Sequence, residues 1–96
     1  MIPAYVDRLP SEVRKMLDLL EHHDLVALQQ VVHELLGTGG GYGFAPISQS
    51  AGRAQASIRA GEAFEPIASE VNSLIEVIRR IEGYDESKAP SVNPTN

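Results

Sequence analysis

The chain is 96 residues long, with 43% hydrophobic and 22% charged residues and a formal net charge of -5. This length fits one domain with a single shallow core. The absence of cysteine excludes disulfides and thiolate chemistry. No Lys/Arg cluster is larger than the pair Arg79-Arg80, which argues against a nucleic-acid partner. No apolar run is long enough to span a membrane, and Asp7, Arg8 and Pro10 interrupt any signal peptide, so we expect a cytoplasmic protein.

The N-terminal segment predicts a short helical turn followed by a longer helix. Residues 3–8 are expected to form a turn that is interrupted at Pro10, a residue suited to a first helical turn. From Pro10 to about Glu21 the apolar residues recur at i, i+3, i+4 and i+7, which indicates an amphipathic helix. These residues are Val13, Met16, Leu17 and Leu20.

A second helix is predicted from Leu25, after the polar break His22-His23-Asp24, in which Asp24 is a candidate N-cap. Its apolar face comprises Leu25, Leu28, Val32 and Leu35. The glycine-rich sequence 37–43 follows. Helix propensity favours an end there, since each glycine costs about 1 kcal/mol relative to alanine.

Two further helices complete the pattern. The third opens at Pro46 and stops near Gly61, and two of its four inward residues are small: Ile47, Ala51, Ala54 and Ile58. The fourth ends at Gly83 and has the most regular apolar spacing: Phe64, Ile67, Val71, Leu74, Ile78 and Ile81. The sequence therefore predicts an all-α, antiparallel up-down four-helix bundle over residues 1–84, with a short extra N-terminal helical turn. Residues 85–96 resemble a disordered C-terminal tail.

His33 is the residue most suited to chemistry. At about 100° per residue, it lies roughly 120° from the core direction of the second helix, on its flank. Gly37 and Gly40 follow one and two turns later and leave its ring uncovered. Gln55 and Arg59 share a face of the third helix, which would stand beside His33 if the two helices pack antiparallel. A glutamine can hold one imidazole nitrogen and leave the other free as a nucleophile, and a guanidinium would favour an incoming phosphoryl group.

The segment 33–44 resembles the active-site helix of the histidine-containing phosphotransfer (HPt) domain. That family has the pattern H-x-L-K-G, then small residues and a glycine ten positions after the histidine. The matching residues here are His33, Leu35, Gly37 and Gly43. The resemblance covers about residues 5–83. It implies that the glycine-rich helix continues through about Gly43, and that Gln55, 22 positions after the histidine, orients the imidazole.

The resemblance also implies a function in a two-component phosphorelay. His33 would exchange a phosphoryl group with the aspartate of a response-regulator receiver domain, and a sensor histidine kinase is the other expected partner. The domain would be a monomeric phosphocarrier without catalytic activity or cofactor of its own, and Mg²⁺ would belong to the receiver. A partner would dock over His33 on a partly exposed surface, for which the alternative interpretation is simply the edge of the core. Its candidate residues are Val26, Gln29, Gln30, Leu36, Gly37, Gly40 and Phe44.

One departure from the family pattern is Leu36, which occupies the position of the usual lysine. Arg59 is the best-placed substitute cation and candidate phosphate contact, whereas Glu34 adds negative charge near the site. The departure supports an alternative, an HPt-like interaction module that binds a receiver or kinase without accepting phosphate. A third hypothesis is a small dimerising bundle in which His33 is incidental.

Other patterns carry less weight. The glycine-rich sequence lacks the G-K-[S/T] ending and the preceding strand of a nucleotide-binding P-loop. His22 and His23 diverge by about 100° on a helix and have no spaced third ligand, which argues against a metal site. We expect them to end the first helix, where an imidazolium complements the helix dipole.

Overall fold

The structure, a computed structural model, describes residues 4–89. Its elements are α1 Ala4–Glu21, α2 Leu25–Gly41, α3 Ala45–Arg59, α4 Phe64–Arg79 and a 3-10 turn Glu86–Lys88. There is no strand within residues 4–89, so the predicted all-helical class is confirmed. None of the helices in this range is long and apolar enough to cross a lipid bilayer.

The first helix is continuous through Pro10, so the prediction of a separate N-terminal turn is wrong. A proline inside a helix costs about 3 kcal/mol, because it lacks an N–H and crowds the preceding turn. Here the preceding turn is well buried: Tyr5, Val6 and Leu9 are 6%, 1% and 0% exposed. Burial of each such side chain contributes about 1.5–3 kcal/mol, which offsets the cost of the proline.

The second helix continues through most of the glycine-rich sequence and ends at Gly41, two residues before the expected end. Gly43 has a φ of 86°, a left-handed conformation that glycine adopts without steric cost. This turn lets the Phe44 N–H donate to the Gly39 carbonyl at 2.7 Å, the capping pattern of a Schellman motif. Glycines therefore form the last turn of α2, and the glycine at position 43 ends the helix.

All four helices contribute to one hydrophobic core. Its largest fully buried side chains are Leu9, Met16, Leu28, Leu35, Ile47, Ile67, Leu74, Ile75 and Ile78. Helix α2 packs most extensively on α3, α3 packs on α4, and α1 contacts both α2 and α4. Leu17, which the periodicity assigned to the apolar face of α1, is 36% exposed.

The contact between α2 and α3 is close because small residues lie on it. A methyl group at Gly39 would lie 3.1 Å from both Ile47 Cγ2 and the Ser48 backbone nitrogen. One turn earlier in α2, the Leu36 carbonyl accepts a hydrogen bond of 3.0 Å from Ser48 Oγ. The Leu36 side chain lies over Gly52, where Cδ1 would be 3.7 Å from an added methyl group.

The segment after α4 folds back on α1. Arg79 Nε donates to Glu86 Oε1 at 2.9 Å, and Lys88 Nζ donates to Asp7 Oδ1 at 2.9 Å. The expected disorder from residue 85 onwards is therefore not what the structure shows for residues 85–89. The rest of the predicted tail, residues 90–96, lies outside the described residues, as do residues 1–3.

We predict opposite effects on stability for alanine at two glycines of α2. Gly39→Ala should lower the free energy of unfolding by about 1–2 kcal/mol, because the added methyl group overpacks a contact that includes backbone. Gly37→Ala is the matched control. A methyl group there meets nothing within 4 Å, so the better helix propensity should raise stability by about 0.5–1 kcal/mol. Urea denaturation of both variants measures the difference, and equal effects would contradict the close approach at Gly39.

A second pair of variants tests the hydrogen bond between the helices. Ser48→Ala should lower stability by about 0.5–1.5 kcal/mol, since it removes the donor to the Leu36 carbonyl. Ser50 is the control on the same helix. Its hydroxyl is buried, and the part of the chain that the structure describes offers it no hydrogen-bond partner. Ser50→Ala should therefore be neutral or stabilising in the same denaturation assay, and a larger loss for Ser50→Ala than for Ser48→Ala would refute this assignment.

Candidate functional site

The register of α2 places His33 at the surface. Asp24 begins the helix as predicted, with Oδ1 accepting a hydrogen bond of 3.1 Å from the Ala27 N–H. From that start, Leu28, Val32 and Leu35 are buried. His33 falls on the adjoining flank and is exposed.

Gln55 of α3 lies against the imidazole of His33. Gln55 is buried, with 5% of its surface exposed, and its side-chain amide lies 3.3 Å from His33 Nδ1. A buried amide is stable only where its polar atoms find partners. The spacing of these two residues in the sequence predicted that they would meet, and in the structure they are in contact.

Arg59 contacts the same atom of the Gln55 amide as His33 does. Its Nη2 and Nε are 3.1 Å and 3.3 Å from the Gln55 side-chain atom that faces His33. A guanidinium carries donors and no acceptor. That position therefore suits the amide oxygen, Oε1, which there accepts from both nitrogens of Arg59.

An open depression of about 520 Å³ lies beside this trio. The residues that line it are Val26, Gln29, Gln30, His33, Glu34, Gln55 and Arg59. Val26 is 76% exposed, so the depression has an apolar rim next to two amides. Among these lining residues Arg59 is the cation and Glu34 is the carboxylate.

The remaining residues predicted for docking are distributed differently. Gly37 faces open space, and Gly40 has the Ser48 hydroxyl nearby, 3.5 Å from an added methyl group. Leu36 is half-buried against α3 and does not line the depression. Phe44 is half-buried and follows the end of α2, where its ring stacks on Tyr5 at a centroid distance of 5.5 Å.

An aromatic cluster beyond the glycines was not predicted. Tyr5 stacks on Tyr42 at a centroid distance of 4.8 Å, and its hydroxyl lies 3.0 Å from Thr38 Oγ1. Burial raises the pKa of the Tyr5 phenol. The cluster joins the start of α1 to the end of α2, which are distant in the sequence, so no local pattern indicates it.

The other two histidines lie at the end of α1, away from His33. His22 Nδ1 donates to the Asp18 carbonyl at 2.8 Å. His23 has a φ of 54° and stacks on Phe64 with a centroid distance of 3.7 Å. Within residues 4–89 no three potential metal ligands among His, Cys, Asp and Glu come together.

Fold and site together define a small helical domain that presents one oriented histidine beside an open surface. No protein-family model matches the chain, and no curated protein or solved structure matches it either.

We predict that His22 titrates above its ordinary pKa of 6.5, chiefly because its ring donates to the Asp18 carbonyl and also because it lies near the Asp18 carboxylate. A raised pKa means that the protonated ring stabilises the fold. This contribution is complete below the ordinary pKa and is lost as the pH rises through the pKa of the folded protein. NMR titration measures the shift. Asp18→Asn should reduce it without abolishing it, because the backbone acceptor remains, and a His22 pKa at or below the ordinary value would contradict the contact.

Proposed function

We propose that this chain is an HPt-type phosphocarrier of a two-component phosphorelay, with His33 as the phosphoryl acceptor. The observation that carries the proposal is the contact of His33 Nδ1 with Gln55. It occupies one nitrogen of an exposed ring, and with the amide oxygen at this contact Nε2 is left as the nucleophile.

The finer architecture belongs to the same proposal: the four helices run alternately up and down as an antiparallel bundle. Support comes from the pairing of α2 with α3, in which residue numbers fall on one helix as they rise on the other. Gly39 is near Ser48, Leu36 is near Gly52, and His33 is near Gln55. Each pair of consecutive helices is also in contact and is joined by a short connection.

The proposed reaction is a transfer between a receiver aspartate and His33. The Nε2 lone pair attacks the phosphorus of the aspartyl phosphate in line, the N–P bond forms, and the bond to the carboxylate oxygen breaks. The aspartate leaves as a carboxylate, and the reverse step returns the phosphoryl group. The receiver contributes Mg²⁺ and most of the charge stabilisation, so this chain would mainly present and orient the imidazole.

The proposed partners are a response-regulator receiver domain and a sensor histidine kinase, in the cytoplasm. The exposed Val26 and the amides of Gln29 and Gln30 border the depression beside His33, and they offer a partner an apolar contact with polar surroundings. Arg59 is the nearby cation for the phosphoryl group. We propose that the chain acts as a monomer and binds neither nucleic acid nor membrane.

One observation favours a second function, an HPt-like interaction module that binds a receiver or kinase without accepting phosphate. Leu36 replaces the lysine of the family and lies over Gly52. Glu34 lines the depression, and its carboxylate would repel an incoming phosphoryl group. The balance between the two functions depends on whether Arg59 compensates for these two residues.

Phosphorylation tests the proposal directly. The full chain is treated with radiolabelled phosphoramidate, which donates to histidine without a partner, and with a panel of labelled receiver domains. From the receivers we expect acid-labile, base-stable label on the wild type and none on His33→Gln. Phosphoramidate also reaches the exposed His22 and His23, so with this reagent His33→Gln should lose only the share of label carried by His33. Gln55→Ala should slow labelling by receivers about five- to tenfold, the equivalent of one lost hydrogen bond of about 1–1.4 kcal/mol.

His22→Gln is the matched control, because it removes another exposed histidine and should leave the labelling by receivers unchanged. Receiver-derived label that persists in His33→Gln would overturn the site. A wild-type chain that takes no label from a receiver but binds it in titration calorimetry would favour the interaction module.

A further inference from the structure

We infer that Arg59 is a positioning residue, which sets the tautomer of His33 through the side-chain amide of Gln55. This inference deepens the proposed function. The relevance of the inference to phosphotransfer rests on that proposed function. The role differs from a direct contact between the guanidinium and the phosphoryl group.

The contact between Gln55 and His33 is ambiguous by itself. An amide has an oxygen that accepts and a nitrogen that donates, and a neutral imidazole can accept or donate at Nδ1. The amide oxygen would select the Nδ1–H tautomer, and the amide nitrogen would select the Nε2–H tautomer. Both pairings satisfy the same distance of 3.3 Å. Only the first leaves Nε2 with a lone pair that can attack phosphorus.

Arg59 removes this ambiguity. Its Nη2 and Nε lie 3.1 Å and 3.3 Å from the same amide atom, and a guanidinium has donors alone. An amide nitrogen at that position would face two donors, whereas the oxygen accepts from both. The fixed charge of Arg59 thus selects the amide orientation, and the amide orientation selects the tautomer of His33.

The surroundings of Arg59 agree with this role. Arg59 follows Gln55 by one helical turn on α3, so the backbone holds the two side chains on one face. Within residues 4–89 no ion pair joins Arg59 to a carboxylate. The contact with Gln55 also occupies two nitrogens of the guanidinium.

The test reads the tautomer of His33 in the unphosphorylated full chain. ¹⁵N-histidine NMR at the alkaline end of a titration distinguishes a pyrrole-type N–H nitrogen from a pyridine-type nitrogen by its chemical shift. The spectrum of His33→Gln assigns the resonances. In the wild type we expect Nδ1 to be pyrrole-type and Nε2 to be pyridine-type.

Three variants isolate the guanidinium. Arg59→Met keeps the aliphatic length without a donor, and we expect the Nε2 resonance to move towards the pyrrole type, the form that prevails for histidine in water. Arg59→Lys keeps a cationic donor and should retain the wild-type shifts. The double variant Arg59→Met with Gln55→Glu should restore them, because a carboxylate offers His33 an acceptor in either orientation.

Wild-type shifts in Arg59→Met would overturn the inference, and so would a failure of the double variant to restore them. Unchanged amide spectra away from the site show that the variants remain folded. Labelling by receiver domains is measured separately. A wild type that takes no phosphate would end the proposed function and leave the tautomer result intact. Slower labelling of Arg59→Met with an unchanged tautomer would assign Arg59 to direct phosphate contact and overturn positioning.

Discussion

The close packing of α2 on α3 is the constraint on which the site depends. The two helices touch at three successive points, which begin near the loop that joins them. Gly39 meets Ser48 at the first level, Leu36 lies over Gly52 at the second, and His33 contacts Gln55 at the third. A larger side chain at the first level would separate the helices. Interiors are packed too densely to absorb such a change locally, so the separation would be transmitted towards the imidazole. The glycines of α2 therefore have a structural role besides leaving the histidine uncovered.

Helix propensity and tertiary packing oppose each other in this region. Glycines inside a helix weaken it, at about 1 kcal/mol each relative to alanine. The helix persists because its glycines allow α3 to approach closely, and Ser48 of α3 then donates a hydrogen bond to a carbonyl of α2. The left-handed Gly43 then ends the helix where a side chain would be strained. Stability here comes from contact between two helices rather than from either helix alone.

The sequence could predict the parts that follow from periodicity. The apolar spacing of α4 and the N-cap at Asp24 define elements that the structure contains, and the spacing of Gln55 from His33 corresponds to a contact. Propensity failed at Pro10, because burial of the preceding turn outweighed the cost of an interior proline. The stacking of Tyr5 on Tyr42 could not be predicted, since it joins distant parts of the chain that come together only in the folded core.

The sequence also left the role of Arg59 open. Its spacing from Gln55 predicts that the two side chains share a face of α3, but not the direction in which the guanidinium N–H groups point. A lysine at position 36 would have extended from the histidine's own helix as a flexible point charge. Arg59 instead extends from α3, and its planar guanidinium contacts the buried amide that touches His33. A cation in that position orients the amide that contacts the imidazole, and it can attract an anion as well. Under the proposed function, exchanging a cation on α2 for one on α3 would make the reactivity of His33 depend on the packing of the two helices. The same packing that Gly39 permits would then determine how well Nε2 is presented to a partner.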